Sequence, residues 1–103
     1  NKDNLKLCFD IAHCVVFSNE EPLTWINKMA RYLNHVHLSD CNGIYDEHLA
    51  LGSGSIDIIE LIHKLQKINC NLTFVIEMSG EEKIRKSLYY LDRNRLIQRK
   101  NAI

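Results

Sequence analysis

Six residues of this 103-residue chain are the candidates for binding a cation or moving protons: Asp10, His13, His37, Asp46, His48 and Glu77. Oxygen and imidazole donors of this kind suit Zn²⁺, Mn²⁺ or Fe²⁺, and an oxygen-dominated subset suits Mg²⁺. The same groups do general acid–base work when they lie within hydrogen-bond reach of a substrate proton. Asp46 and His48 are two apart, and in an extended segment that spacing puts both on one face. Taken singly, each is most simply a helix cap or a solvated surface group. Their weight comes from the elements that position them. His35, at a strand entrance, and His63, on a helix, are read as solvated.

The chain alternates short apolar runs with longer amphipathic stretches. Leu5 to Phe9 reads as a strand ending at Asp10, followed by a turn. Ser18 or Asn19 then caps a helix whose first turn holds Glu20, Glu21 and Pro22, the expected N-terminal chemistry. Leu23, Ile26, Met29, Ala30 and Leu33 follow at helical spacing. Asn34 to Ser39 is a second strand, and a loop of about fourteen residues runs from Asp40 to Gly54; loops of that length are often functional. Ser55 caps a helix carrying Ile58, Ile59, Ile62, Leu65 and Ile68 inward, with Leu61 at the edge of the stripe. After a turn at Asn69-Cys70-Asn71, Leu72 to Ile76 is a third strand, leading into Glu77. A last helix is expected from Glu81 to about Gln98, with Ile84, Leu88, Leu91 and Leu96 inward.

This is an α/β order of three successive βα units. Near-continuous apolar strands and short turns favour parallel strands joined by right-handed crossovers. Reactive groups in such sheets gather at the C-terminal strand ends. The first strand ends at Asp10, the second carries His37 and the third ends at Glu77, so neighbouring tips lie about 5 Å apart, within reach of a shared cation. His13, Asp46 and His48 form a second candidate cluster. Gly52-Ser53-Gly54 is too short for a phosphate loop, although it precedes a helix N-terminus that could touch a sugar phosphate.

Composition bounds the partners. One domain fits the length, and 13 basic residues balance 13 acidic ones, which argues against long-range attraction to DNA or to an anionic membrane. No apolar run spans a bilayer. Cys8, Cys14, Cys41 and Cys70 form no CxxC pair and read as free thiols, which with the missing secretory leader points to the cytoplasm. Cys8 and Cys70 are expected to pack as small hydrophobes. The opening Asn1-Lys2-Asp3-Asn4 has no initiator Met and reads as a fragment or a processed product. No GxGxxG follows a strand, which disfavours hydride transfer. Cys14 beside His13 is a weak nucleophile–base pair, because adjacent residues do not usually face each other.

Asp10-Ile-Ala-His13, His35-Val-His37-Leu-Ser-Asp40, Asp46-Glu-His48, Leu51-Gly-Ser-Gly54-Ser-Ile-Asp57 and Ile76-Glu77 together resemble the xylose isomerase-like TIM barrel superfamily, which holds sugar-phosphate isomerases and epimerases and the endonuclease IV relatives. The resemblance runs from about residue 5 to 92. It implies that residues 1–103 are the C-terminal part of a (β/α)8 barrel, its last three units. It assigns Asp10, His37 and Glu77 to metal binding. In the endonuclease branch His13, Asp46 and His48 hold a further zinc; in the epimerase branch His13 contacts substrate and Glu77 doubles as a proton-transfer base. A full barrel needs roughly 250 residues. The ligands expected from earlier strands are therefore absent, and two sheet edges and one sheet face lack their barrel neighbours.

Three functions follow from the resemblance. The first is a metal-dependent sugar or sugar-phosphate isomerase or epimerase, moving a proton through a metal-stabilised enediolate, with Glu77 and His13 as catalytic groups. The second is a zinc-dependent abasic-site DNA endonuclease, favoured by the DxH pair and by basic residues Lys83, Arg85, Lys86, Arg93, Arg95, Arg99 and Lys100. That charge run is more simply a solvated helix face. The third is an inactive fragment, which self-associates or needs a missing N-terminal barrel portion.

Overall fold

A computed structural model describes residues 5–97. Three parallel strands lie in the order β1 (Leu7–Asp10), β2 (Leu33–Leu38), β3 (Thr73–Ile76). The first crossover contains α1 (Ile11–Phe17) and α2 (Pro22–Met29), and the second contains α3 (Ile58–Ile68); α4 (Glu81–Arg93) follows β3. The expected α/β class and parallel pairing are both present.

Alternation along the strands divides the sheet into two faces. Phe9, Val36 and Leu38 turn to one side and are buried in a core with Ile26, Ile58, Leu61, Ile62, Leu65 and Leu91; Leu33, out of phase with Val36, joins the same core at a shift in the β1–β2 register. Fully burying one such side chain stabilises by roughly 1.5–3 kcal/mol. The opposite face carries Cys8 and Asp10 from β1, His35 and His37 from β2, and Thr73 and Val75 from β3, with Glu77 just beyond. Its lower layer is Cys8, His35 and Thr73, paired in register and all exposed. Val75 is 39% exposed. This is the face that a barrel would fill.

Several local expectations are corrected. The turn after Asp10 is a helix, α1, capped by Asp10 itself through Oδ1, which accepts the His13 amide at 2.9 Å. Neither Ser18 nor Asn19 caps α2; Glu21 takes that place without a side-chain bond, and Pro22 opens the helix. The Ser18 hydroxyl is committed instead to the Glu20 amide and the Trp25 indole. Leu33 belongs to β2 rather than to the preceding helix. Asp57 caps α3, through the Glu60 amide, while Ser55 donates to the Cys41 carbonyl. Cys8 and Cys70 are exposed, whereas Cys14 and Cys41 are buried; all four are free thiols. Cys8 is exposed because it lies on the open sheet face. Ile84 is 38% exposed, because a helix following the edge strand has no further strand to lie over. The last helix ends at Arg93, with Asn94 as its C-cap, short of the expected Gln98; Gln98, Arg99 and Lys100 lie outside the described residues. Among the described residues, no helix is long and apolar enough to cross a membrane.

Candidate metal and proton-transfer site

All six candidate side chains meet at the C-terminal rim of the sheet. Asp10 ends β1, and parallel register sets it opposite His37 of β2. Glu77 follows β3, and its amide donates to the Leu38 carbonyl at 2.9 Å, which fixes its backbone beside the end of β2. His13 enters on the first turn of α1, positioned by its own amide bond to Asp10. Asp46 and His48 come down from the loop. They share a direction, but not through an extended segment: His48 has φ 52°, in the left-handed region.

The contacts form a ring in which carboxylate and imidazole alternate. His37 Nδ1 lies 2.7 Å from Glu77 Oε1 and 3.8 Å from Asp10 Oδ2. Asp10 Oδ2 lies 4.0 Å from His13 Nδ1, and His13 Nε2 lies 2.6 Å from Asp46 Oδ2. The same Asp46 oxygen is 3.3 Å from His48 Nε2, and His48 Nδ1 closes the ring on the Glu77 carbonyl oxygen at 2.7 Å. Asp10 and Asp46 are the most enclosed members, with 19% side-chain exposure each.

Two features of the ring suit a cation. A carbonyl oxygen only accepts, so His48 carries its proton on Nδ1 and, while neutral, presents an Nε2 lone pair to the Asp46 carboxylate. A proton or a metal ion on Nε2 resolves that clash. The hydrogen bond to the Glu77 carbonyl, assisted by the charges of Asp46, Asp10 and Glu77, raises the His48 pKa above its ordinary 6.5, against the lowering effect of burial. Donating one ring N–H to a carbonyl while the other nitrogen faces the ion is also the usual posture of a metal-ligating histidine. In addition, Asp46 Oδ1 is buried with no hydrogen-bond partner among the described residues, as is Ser39 Oγ, two residues past His37. Buried polar atoms are nearly always partnered, so Asp46 Oδ1 is open to a donor, a water or an ion.

Among the described residues, no three His, Cys, Asp or Glu groups already stand around a point ready to hold an ion. The distances give the reason. A tetrahedral ion with ~2.1 Å bonds keeps neighbouring donors about 3.4 Å apart. His48–Asp46 at 3.3 Å meets that spacing, and His37–Asp10 at 3.8 Å is near it. His37–Glu77 at 2.7 Å and His13–Asp46 at 2.6 Å are at hydrogen-bond distance and must open by about 0.7 Å. The donor set fits a divalent cation once those two contacts part.

Asp40 is what the sequence reading missed. It is fully buried, and its carboxylate accepts the amides of Cys41, Gly52, Gly54 and Ile56. The amides of Gly52 and Gly54, read from the sequence as a possible contact for a sugar phosphate, are therefore occupied by this carboxylate. A signal was present: glycines two apart after a buried Asp mark a close backbone approach. A Cβ on Gly54 would stand 2.4 Å from Asp40 Oδ1. The basic residues of α4 are partly neutralised on their own helix, by Arg85–Glu81 and Lys86–Glu82 pairs, as a solvated face would be.

A family profile described as "Xylose isomerase-like TIM barrel" matches residues 1–94. The chain is 38% identical over 77 residues to the uncharacterized protein MJ1311 of Methanocaldococcus jannaschii, covering 72% of this chain and 26% of that protein. It is 36% identical over 69 residues to the uncharacterized protein MJ1614 of the same organism, again covering 26% of the relative. Among solved structures it superposes on a D-tagatose 3-epimerase-like protein with a TM-score of 0.78 at 34% identity, over 88% of this chain and 34% of that one. It superposes on the TTHB071 protein of Thermus thermophilus, from a crystal soaked with ZnCl2, with a TM-score of 0.67 at 33% identity, over 87% and 34% of the two chains. The chain thus spans about a quarter of the curated relatives and a third of the structural ones.

Proposed function

Since the chain belongs to the xylose isomerase-like TIM barrel family, we propose that it forms the last three βα units of a divalent-metal-dependent sugar or sugar-phosphate isomerase or epimerase. The observation that carries this reading is the convergence of Asp10, His37 and Glu77 on one rim, around His37 Nδ1. The likeness to a D-tagatose 3-epimerase-like protein supports the substrate class, and the zinc-soaked crystal of TTHB071 supports the use of a metal.

Asp10, His37 and Glu77 would hold the ion, with Asp46 and His48 at a second position. A bound Zn²⁺, Mn²⁺ or Mg²⁺ there supplies Lewis-acid polarisation of adjacent carbonyl and hydroxyl oxygens. Glu77, whose side chain is 38% exposed at the mouth of the site, would take the proton from the carbon next to the carbonyl, and a Glu from a missing strand would return one, on the opposite face for an epimerisation. His13, the most exposed ring member at 53%, orients a substrate hydroxyl by hydrogen bonding. In the metal-free chain Asp46 holds the His13 ring through Nε2, a contact that an ion at the second position would replace. The remaining ligands and the wall that excludes water would come from the rest of the barrel, so the chain by itself is expected to be inactive.

The test is solvent exchange. The complete barrel carrying these units, given Mn²⁺ and a panel of ketoses in D₂O, should incorporate deuterium at the carbon beside the carbonyl, and a chelator should stop it. Metal-independent exchange, or none with any ketose or ketose phosphate, overturns the reading. A second reading, an abasic-site endonuclease, is favoured by one observation: Asp46 Oδ2 contacts both His13 and His48. Cleavage of abasic DNA together with more than one tightly held zinc per chain would select it instead.

A further inference from the structure

The 40–56 segment returns twice to a single residue. The Asp40 amide donates to the Leu49 carbonyl at 3.0 Å, and the Leu49 amide donates back to the Asp40 carbonyl at 2.9 Å, an isolated antiparallel bridge. Its side chain holds the far end of the segment. Oδ1 accepts from the amides of Cys41 at 2.9 Å and Ile56 at 3.2 Å, and Oδ2 from those of Gly52 and Gly54, both at 3.0 Å. Asp40 is 0% exposed, and Gly54 leaves no room for a Cβ between them. A carboxylate with four donors is a saturated anion nest, and nothing in it is free for a metal or a substrate.

Asp40 is also attached to the site at both ends. It stands three residues past His37 on the chain leaving β2, and Leu49, its bridge partner, follows His48 directly. We propose that Asp40 is a positioning residue: by clamping the 40–56 segment to the end of β2 it sets where Asp46 and His48 enter the ring and holds His48 in its left-handed conformation, with Nδ1 on the Glu77 carbonyl. This rests on the reading of the ring as a metal site. Asn at this position keeps the shape but turns one acceptor into a donor facing amide N–H groups.

Asp40→Asn should therefore act on the site and not merely on the fold. With Zn²⁺ alone as probe, calorimetric affinity should fall by ten- to a hundredfold, the range for residues that orient metal ligands. The His48 ring-nitrogen signals should move, and the Gly52, Gly54 and Ile56 amides should lose hydrogen-exchange protection. Ile62→Val, a mild core change on α3 that touches neither the ring nor the Asp40 hydrogen bonds, should lower the melting temperature and leave Zn²⁺ affinity and the His48 signals in place. Wild-type affinity and an unmoved His48 in Asp40→Asn overturn the proposal. If Zn²⁺ fails to bind the wild-type complete barrel, the metal reading falls by itself, and the clamp is judged on the His48 signals. If Asp40→Asn does not fold, wild-type exchange decides: one shared opening for Leu49, Gly52, Gly54 and Ile56 upholds the clamp, and independent or unprotected exchange at Gly52 and Gly54 refutes it.

Discussion

Replacing Glu77 by Gln removes one charge and keeps the side chain's shape, and the structure says how the loss should divide. The backbone of residue 77 is held independently of its carboxylate: its amide donates to Leu38 and its carbonyl accepts from His48. What disappears is the 2.7 Å contact to His37 Nδ1, between groups 32% and 38% exposed. Half-exposed pairs of this kind contribute about 0–1 kcal/mol, so the melting temperature should fall by only a few degrees. Catalysis should lose far more, because a positioned general base contributes roughly 10²–10⁴-fold. That is about 3–5 kcal/mol of barrier. Metal affinity should weaken too, since a neutral amide replaces an anionic donor. The assay pairs a thermal melt by circular dichroism with Mn²⁺ calorimetry and deuterium wash-in on the complete barrel. A Glu77→Gln enzyme with wild-type turnover, or one whose activity falls only as far as its stability, would refute the assignment of the proton to this residue.

Three other outcomes follow from the same contacts. The raised pKa of His48 makes its charged form favourable in the folded, metal-free chain, so its contribution to stability is complete below the unfolded value of 6.5 and is lost as pH rises through the higher folded value. Melting temperature against pH should show a decline in that window that His48→Gln removes; identical profiles would mean that folding does not favour the charged form of His48. Leu65→Ala, at a fully buried position of α3, should cost about 2–5 kcal/mol; a denaturant midpoint within experimental error of wild type would mean the described core is wrong. Light scattering on the 103-residue chain should show self-association through the open face bearing Cys8, His35, Thr73 and Val75, and a monomer with a sharp cooperative melt would contradict the expectation.

Periodicity made the strands and the later helices legible, because each writes its burial into its spacing. Leu65 and Ile62 recur as a helix must, and Phe9, Val36 and Leu38 alternate as a half-covered sheet must. What stayed hidden has a physical reason in each case. The α1 stretch is seven residues, too short to show a stripe, and its cap is Asp10, whose carboxylate was claimed by the metal argument; one oxygen caps while the other faces the ring. Ser18 and Ser55 are good caps by type, yet the Trp25 indole and the Cys41 carbonyl draw them elsewhere. That Asp10, His37 and Glu77 would lie side by side was readable because strand ends are fixed by the elements, whereas the role of Asp40 was not, since it depends on how a loop returns. His48 entered through a left-handed backbone that the two-residue spacing could not reveal.

The alternation that buries Phe9, Val36 and Leu38 is also what exposes the chemistry. With period two fixed by those three, Asp10 and His37 have no choice of face, and neither do Cys8, His35, Thr73 and Val75 below them. The site and the unfilled face are thus one surface in two tiers, polar at the rim and mixed beneath. A single-residue slip of β2 would send His37 into the core and Val36 to the rim, losing packing and site together. The register is therefore enforced by the hydrophobic side of the sheet, where roughly 1.5–3 kcal/mol per buried side chain outweighs the half-exposed ion pairs above it. Whatever covers the lower tier, a second copy or earlier barrel strands, meets a face on which the core has already aimed Asp10 and His37.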